Sequence, residues 1–415
     1  MSKFEIAACR AYLRGEWRTV SLTVEDGIIK SMADLPENPD APLLVPGLVD
    51  LHVHARDPGF PAKEDLFTCA AAARAGGFSD IAVMPNTSPV CDTPETLRYI
   101  LQKSCDLSVN VHPVSAITMG EKSEELVNME AMVEAGAAAF SDDGHPVKDD
   151  DLMREALIRA KRLGKPILAH SEDERLSAGG CINQGRISAL LGLSGIPAEA
   201  EIEGIRRDIS LARETGAPLH LCHVSTAEGF ELVRQAKKEG LAITAETCPH
   251  YFALTEDVLL QVGSYAKIMP PVRMESDRAA VVEAIADGTC DIIATDHAPH
   301  TRSDKYRAKP LGESLRLGAF GATGLETAFA LSYTYLVKPG FITERDLIRL
   351  MCTRPREILG LPQAKIDVGK PFCAALFDVS APFTFYARDS KSRSKNTPFD
   401  GYELYGKYIE CEEQA

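Results

Sequence analysis

The sequence predicts an α/β protein, a (β/α)8 TIM barrel carrying a small β-sandwich domain formed by both chain termini. Two patterns predict the barrel. Eight short apolar runs follow one another between residues 48 and 300, and each closes on polar residues. Amphipathic stretches, with apolar residues three and four apart and often a terminal glycine, separate most of them. A third pattern predicts the sandwich, because residues 3–45 and 364–410 alternate polar and apolar in the manner of strands. Eight strand–helix units in succession close into a parallel barrel, with a doubly wound sheet as the alternative architecture.

The elements follow in order. Residues 1–46, with a turn at Glu25-Asp26-Gly27, supply the N-terminal part of the sandwich. The barrel spans 47–360. Its strands are expected at LVDLHVH (48–54), DIAVMPN (80–86), SVNVHPVSAI (108–117), AAAFSDD (137–143) and PILAHSE (166–172). The remaining three are PLHLCHVS (218–225), AITAETCPHY (242–251) and DIIATDHAPH (291–300). Helices are expected between them, for example over EDLFTCAAAARAGG and DDLMREALIRAKRLGK. Residues 361–415 complete the sandwich through AALFDV, FTFYAR and YELYGKYIE, and SKSRSKNTPFDG (390–401) is their most loop-like stretch. Neither end is long enough to bury a core alone, so the two are expected to pack together.

Composition narrows the function. The 415 residues are 45% hydrophobic and 25% charged, ordinary for a soluble globular chain. A net charge of −15 argues against general affinity for nucleic acid or anionic membrane, so an anionic substrate must find positive charge within its own site. No signal peptide is recognisable at the start, and no apolar run approaches the roughly 18 residues of a membrane span. The 11 cysteines are odd in number and lack a C-x-x-C pair. They read as reduced, mostly buried thiols of a cytoplasmic protein.

The chemistry gathers at strand ends. His52 and His54 are two apart on one strand and project to the same face. His170 and His223 close two later runs, and Asp143 and Asp296 close two more. Four imidazoles and two carboxylates at the mouth of a barrel suit Zn²⁺, and two ions are accommodated if one ligand bridges. Solvated or helix-capping roles are the alternative for the set. For His112, His145, His220 and His250, taken singly, an ordinary structural role is the better reading.

HVHARDPG, MPNT, FSDDG, AHSED, HVST, TCPHYFALTE and ATDHAPHT, in this order, resemble the dihydroorotases of the long, class I type, within the amidohydrolase superfamily. GLETAFALSYTYLV and NTPFDGYELYGK fit the same family, and the resemblance covers roughly residues 43–410. It implies reversible cyclisation of N-carbamoyl-L-aspartate to L-dihydroorotate with loss of water, in pyrimidine biosynthesis. It further implies two Zn²⁺ per chain, one on His52 and His54 and one on His170 and His223, with Asp143 bridging. Many relatives bridge with a carboxylated lysine, but Lys148, the nearest lysine, lies five residues too far along. Asp142 is then the neighbour facing away. Asp296 is implied to touch the metal and to carry the proton as general base and acid.

Both substrates keep an α-carboxylate. The resemblance implies that Arg56, Asn86 and His300 hold it, and that Phe320 and Gly321 offer backbone contacts to the pyrimidine ring. Arg56 is expected to extend the strand face of His54, and residues 301–318 to form a mobile loop over the mouth. One position departs from the family: Met269 stands in KIMPPVR where relatives carry a substrate-binding asparagine. Two other readings are weighed against this one. The first is a hydrolase of another cyclic amide, of the hydantoin or allantoin type. The second is a non-catalytic scaffold for aspartate carbamoyltransferase, which would be expected to lose zinc ligands. An aspartate carbamoyltransferase partner and a homodimer both stay open.

Overall fold

Residues 3–305 and 310–411 are described by the structure, a computed structural model. The N-terminal alternation becomes β1 (Lys3–Leu13), β2 (Glu16–Glu25), β3 (Ile28–Asp34) and β4 (Leu43–Pro46). The barrel strands begin with β5 (Leu48–Val53), β6 (Phe78–Val83), β7 (Asn110–Ser115), β8 (Ala139–Phe140) and β9 (Leu168–Ala169). An excursion contributes β10 (Ile182–Asn183) and β11 (Gly195–Ile196), which pair only with each other. The barrel resumes with β12 (Leu219–Leu221), β13 (Ile243–Thr247) and β14 (Ile292–Ile293). The chain ends with β15 (Ala374–Thr384) and β16 (Glu403–Ile409).

β5-β6-β7-β8 and β9-β12-β13-β14 are parallel four-stranded sheets. Parallel bridges Phe140–Ile167 and Val53–His297 join them into a closed ring of eight strands. All six residues of β5 are buried, as a strand covered by helices on one side and by barrel side chains on the other requires. The surrounding helices start and stop on local chemistry. Asp65 caps Leu66–Ala75 by accepting from the Thr68 amide. Asp149 does the same for Asp150–Leu163, which stops at Gly164 in the left-handed region (φ 66°).

The chain ends share one six-stranded sheet, ordered β16-β15-β4-β1-β2-β3. β4 lies between β15, antiparallel to it, and β1, parallel to it, and one residue separates β4 from β5. At the opposite end of the barrel strands from the mouth, Asp80 in β6 binds Arg356 at 2.6 Å and His112 at 2.9 Å. Both Asp80 and Arg356 are buried.

One segment differs from expectation. Within 301–318, expected as a loop, the described residues form short helices at Arg302–Lys305 and Leu311–Leu317, while 306–309 lie outside the described residues. The reason is Lys305, a fully buried side chain whose ammonium donates to the carbonyls of Lys267, Ala319 and Gly321. Residues 390–401 carry no strand, as expected. Ser392, Ser394, Asn396 and Thr397 within them are nevertheless buried against the barrel mouth.

Candidate active site

Asp143 is the centre of the site. β8 ends at Phe140, and the next residues leave the ladder, so Asp142 and Asp143 point apart. Asp142 accepts from the Ile117 and Thr118 amides at 2.6 and 3.1 Å. Asp143 instead faces four imidazoles. Its Oδ1 lies 3.2 Å from His52 Nε2 and 3.5 Å from both His170 Nδ1 and His223 Nε2, and its Oδ2 lies 3.4 Å from His54 Nε2. Burial alone would raise this carboxyl; His52, His170 and His223 hold it well below the usual range. Asp296 stands beside it, 3.2 Å from His54 Nε2 and 3.7 Å from His52 Nε2.

Three of the four imidazoles are aimed from behind. His52 Nδ1 meets Glu246 at 2.8 Å, and the other oxygen of Glu246 meets His220 Nε2 at 3.0 Å. His54 Nδ1 meets Asn86 Oδ1 at 2.9 Å, and His170 Nε2 meets Glu172 at 2.9 Å. With those nitrogens engaged, the opposite nitrogen of each of these three rings faces the centre, the arrangement of metal-bound histidines; His223 Nε2 lies 2.9 Å from His170 Nδ1. His52 Nε2 and Asp143 Oδ1 are buried, face each other and make no hydrogen bond. Burying such atoms unpaired costs free energy that a cation between them removes. Two overlapping donor groups converge here, His52/Asp143/His223 and His52/His54/Asp296. Their nitrogen and oxygen donors fit zinc.

The backbone is bent to deliver these side chains. Arg56, His223 and Asp296 are non-glycine residues at φ 59°, 37° and 46°, left-handed conformations that cost energy and that cluster at functional sites. This corrects the expectation for Arg56. It lies past the end of β5 and is aimed by the left-handed turn, not by strand alternation. Its Nε donates to the Pro299 carbonyl at 3.2 Å, and its Nη2 lies 3.3 Å from His300 Nε2. Lys63 Nζ lies 3.3 Å from His300 Nδ1. Burial, with Arg56 and Lys63 adding to it, pushes His300 down to about 2, so the imidazole is neutral between two cations. Burial lowers Arg56 to about 10, which leaves it charged.

A cleft of about 640 Å³ opens over the centre. Its wall includes Arg56, Asn86, His300, Met269, Phe320 and Gly321, together with His54, Asp143, His170, His223 and Asp296. His52 lies beneath, fully buried. Two of the expected substrate contacts also have partners within the protein. The Asn86 amide is turned toward His54 and the Asp143 carbonyl, so it supports the centre. The Gly321 amide donates to Lys267, and its carbonyl accepts from both Lys305 and Asn396. Phe320 is the neighbour whose backbone groups make no hydrogen bond among the described residues.

Sequence patterns did not single out Glu246, Glu172, Lys63 or Asn396. Glu246 had a usable signal, a carboxylate inside an apolar run that must find partners when buried. Asn396 had none, since its partners lie 75 to 98 residues away.

Comparison with known proteins agrees with this geometry. Residues 41–229 match the family model described as "Dihydro-orotase-like". The dihydroorotase of Acetivibrio thermocellus is 44% identical over 395 residues, covering 93% of this chain and 91% of that protein. That of Pelotomaculum thermopropionicum is 46% identical over 366 residues, covering 88% and 84%. Among solved structures, the L-hydantoinase of Arthrobacter aurescens superposes with a TM-score of 0.84 at 25% identity, covering all of this chain and 95% of that one. A barrel mouth with four imidazoles around an aspartate, carried on a sequence this close to those relatives along nearly its whole length, places the chain in the dihydroorotase family.

Proposed function

We infer that the protein catalyses the reversible cyclisation of N-carbamoyl-L-aspartate to L-dihydroorotate, in pyrimidine biosynthesis, and that it does so with zinc. The observation that carries the reading is the joining of two features in one cleft. A carboxylate ringed by four imidazoles lies beside a half-buried pair of cations, Arg56 and Lys63, around neutral His300. The first suits amide hydrolysis. The second suits a substrate that keeps a free carboxylate, which hydantoin lacks. Asp143 among the four imidazoles fits the same reading.

His52, His54, His170, His223 and Asp143 would hold the metal, with Asp296 touching it. Zn²⁺ there supplies Lewis acidity that polarises the scissile carbonyl. The chain's own groups do the rest. Arg56 binds the α-carboxylate at the rim, with His300 beside it, and so sets the ring over Asp143. Phe320 offers its unused amide and carbonyl to the ring edge. Asp296 is held ionised: burial works against this, but the His54 contact and the nearby imidazoles lower it. It takes the proton of the attacking water and returns it to the departing ring nitrogen. In the synthetic direction it removes the carbamoyl proton as nitrogen attacks the side-chain carboxyl, then delivers it to the departing hydroxyl, which leaves as water. Eleven free thiols, most of them buried, support work in a reducing compartment, the cytoplasm.

The test is direct. Chelation should abolish opening of dihydroorotate, added Zn²⁺ should restore it, and hydantoin assayed alongside should be the poorer substrate. Asp296→Asn should retain metal yet turn over at least about a hundredfold more slowly. Full activity in metal-free protein, or preference for hydantoin, would overturn the reading.

A further inference from the structure

Residues 390–397 run from the terminal sheet across the barrel mouth and are tied to three loops at once. Ser392 and the Arg393 amide bind Glu64, and Ser394 Oγ donates to the Lys63 carbonyl at 2.6 Å. At the end of the segment stands Asn396, 1% exposed. Its Oδ1 accepts from the His300 amide at 2.9 Å, and its Nδ2 donates to the carbonyls of Ala298 and Gly321, both at 3.1 Å. Its own carbonyl accepts from the Thr323 amide at 2.9 Å. The amide orientation is fixed by these partners, since a flip would set oxygen against two carbonyls. Only a side chain with one acceptor and two donors in a plane satisfies all three.

These contacts fall on either side of Pro299, whose carbonyl receives Arg56 Nε. Asn396 therefore holds the backbone that places the His300 ring, the backbone that anchors Arg56, and the turn that presents Phe320. We propose that Asn396 is a positioning residue that fixes the substrate-carboxylate clamp through the Ala298–His300 and Gly321 backbone. The proposal rests on the reading of the protein as a dihydroorotase. It touches none of the imidazoles around Asp143, so its loss should affect the grip on substrate and spare the metal centre.

The holoenzyme, purified with zinc, provides the test. Asn396→Ala should raise KM for dihydroorotate about tenfold or more, while kcat stays within about threefold and zinc content matches wild type. Asn396→Asp keeps the shape and the acceptor for His300 but turns both donors into acceptors; it should also raise KM, and it serves if the alanine variant does not fold. Lys395→Ala, whose ammonium bonds among the described residues only to the Ser390 and Ser392 carbonyls in the same segment, should leave KM within about twofold. A residue that merely supported the fold would lower active-site content and kcat without moving KM. Unchanged KM in both Asn396 variants, with active wild type, overturns the proposal alone. A wild type that fails to open dihydroorotate overturns the functional reading, and the clamp with it.

Discussion

Met269 stands where the resemblance implies an asparagine, and its surroundings show how a methionine fits there. It lines the cleft, but the turn that carries it is held by backbone: the Lys267 carbonyl accepts from Lys305 Nζ at 3.0 Å and from the Gly321 amide at 2.9 Å. The side chain at 269 can therefore change while the Phe320 edge stays in place. A thioether packs against a ring without making its hydrogen bonds. One neutral hydrogen bond to substrate is worth about 0.5–1.5 kcal/mol. Met269→Asn should therefore shift KM for dihydroorotate by less than about tenfold and leave metal content unchanged, as steady-state kinetics and metal analysis would show. A far larger gain would mean that another cyclic amide is the better substrate. At this scale the histidines and aspartates were legible because polar residues closing apolar runs have few structural uses. Arg56 was legible in identity but not in aim, since nothing in HVHARDPG announces a left-handed turn.

At the scale of elements, the barrel's strands are shorter than the runs that announce them. AAAFSDD covers seven residues, yet β8 keeps only Ala139 and Phe140 in the ladder. The tail of the run peels away to become the loop that aims Asp143, so hydrophobic pattern marks a strand's place better than its end. The opposite ends of the strands serve stability. Asp80, the third residue of β6, pairs with Arg356, on helix Arg354–Leu359, and with His112 on β7. Burial would raise its carboxyl, but His112, Ser79 and Arg356 hold it well below the usual carboxylate range. A depressed carboxyl stabilises the fold fully above its unfolded pKa of about 3.9, and that contribution is lost as pH falls below about 4. Breaking a buried pair by removing one partner costs about 3–5 kcal/mol. Asp80→Asn should thus lower Tm strongly at pH 7, and the gap to wild type should narrow in melts taken toward pH 3. A constant gap across that range would assign the loss to packing instead of charge.

At the scale of the molecule, both chain ends were legible as strands that pack together, but which strand pairs with which was not. β4 pairs with β15 more than 300 residues away, and register between such distant segments leaves no trace in local alternation. The same holds for the strap at 390–397, polar and loop-like in sequence, buried in the fold. The acidic balance of −15 also meets its exception here, in Arg56 and Lys63 gathered by three loops around one imidazole.

The left-handed residues at 223 and 296 set the stability of the whole against its use. An L-residue in that region costs about 1–2 kcal/mol, which glycine does not bear. Denaturation of the metal-free protein should therefore find His223→Gly and Asp296→Gly more stable than the corresponding alanine variants, each by roughly 1 kcal/mol. Equal stabilities would show that the backbone there is relaxed. If the difference is found, the site has a direction of decay built into it. A lineage released from the need for this reaction gains robustness through the very substitutions that erase its ligands. Each such step makes the return less favourable, because regaining the ligand means taking up the strain again before the metal can repay it.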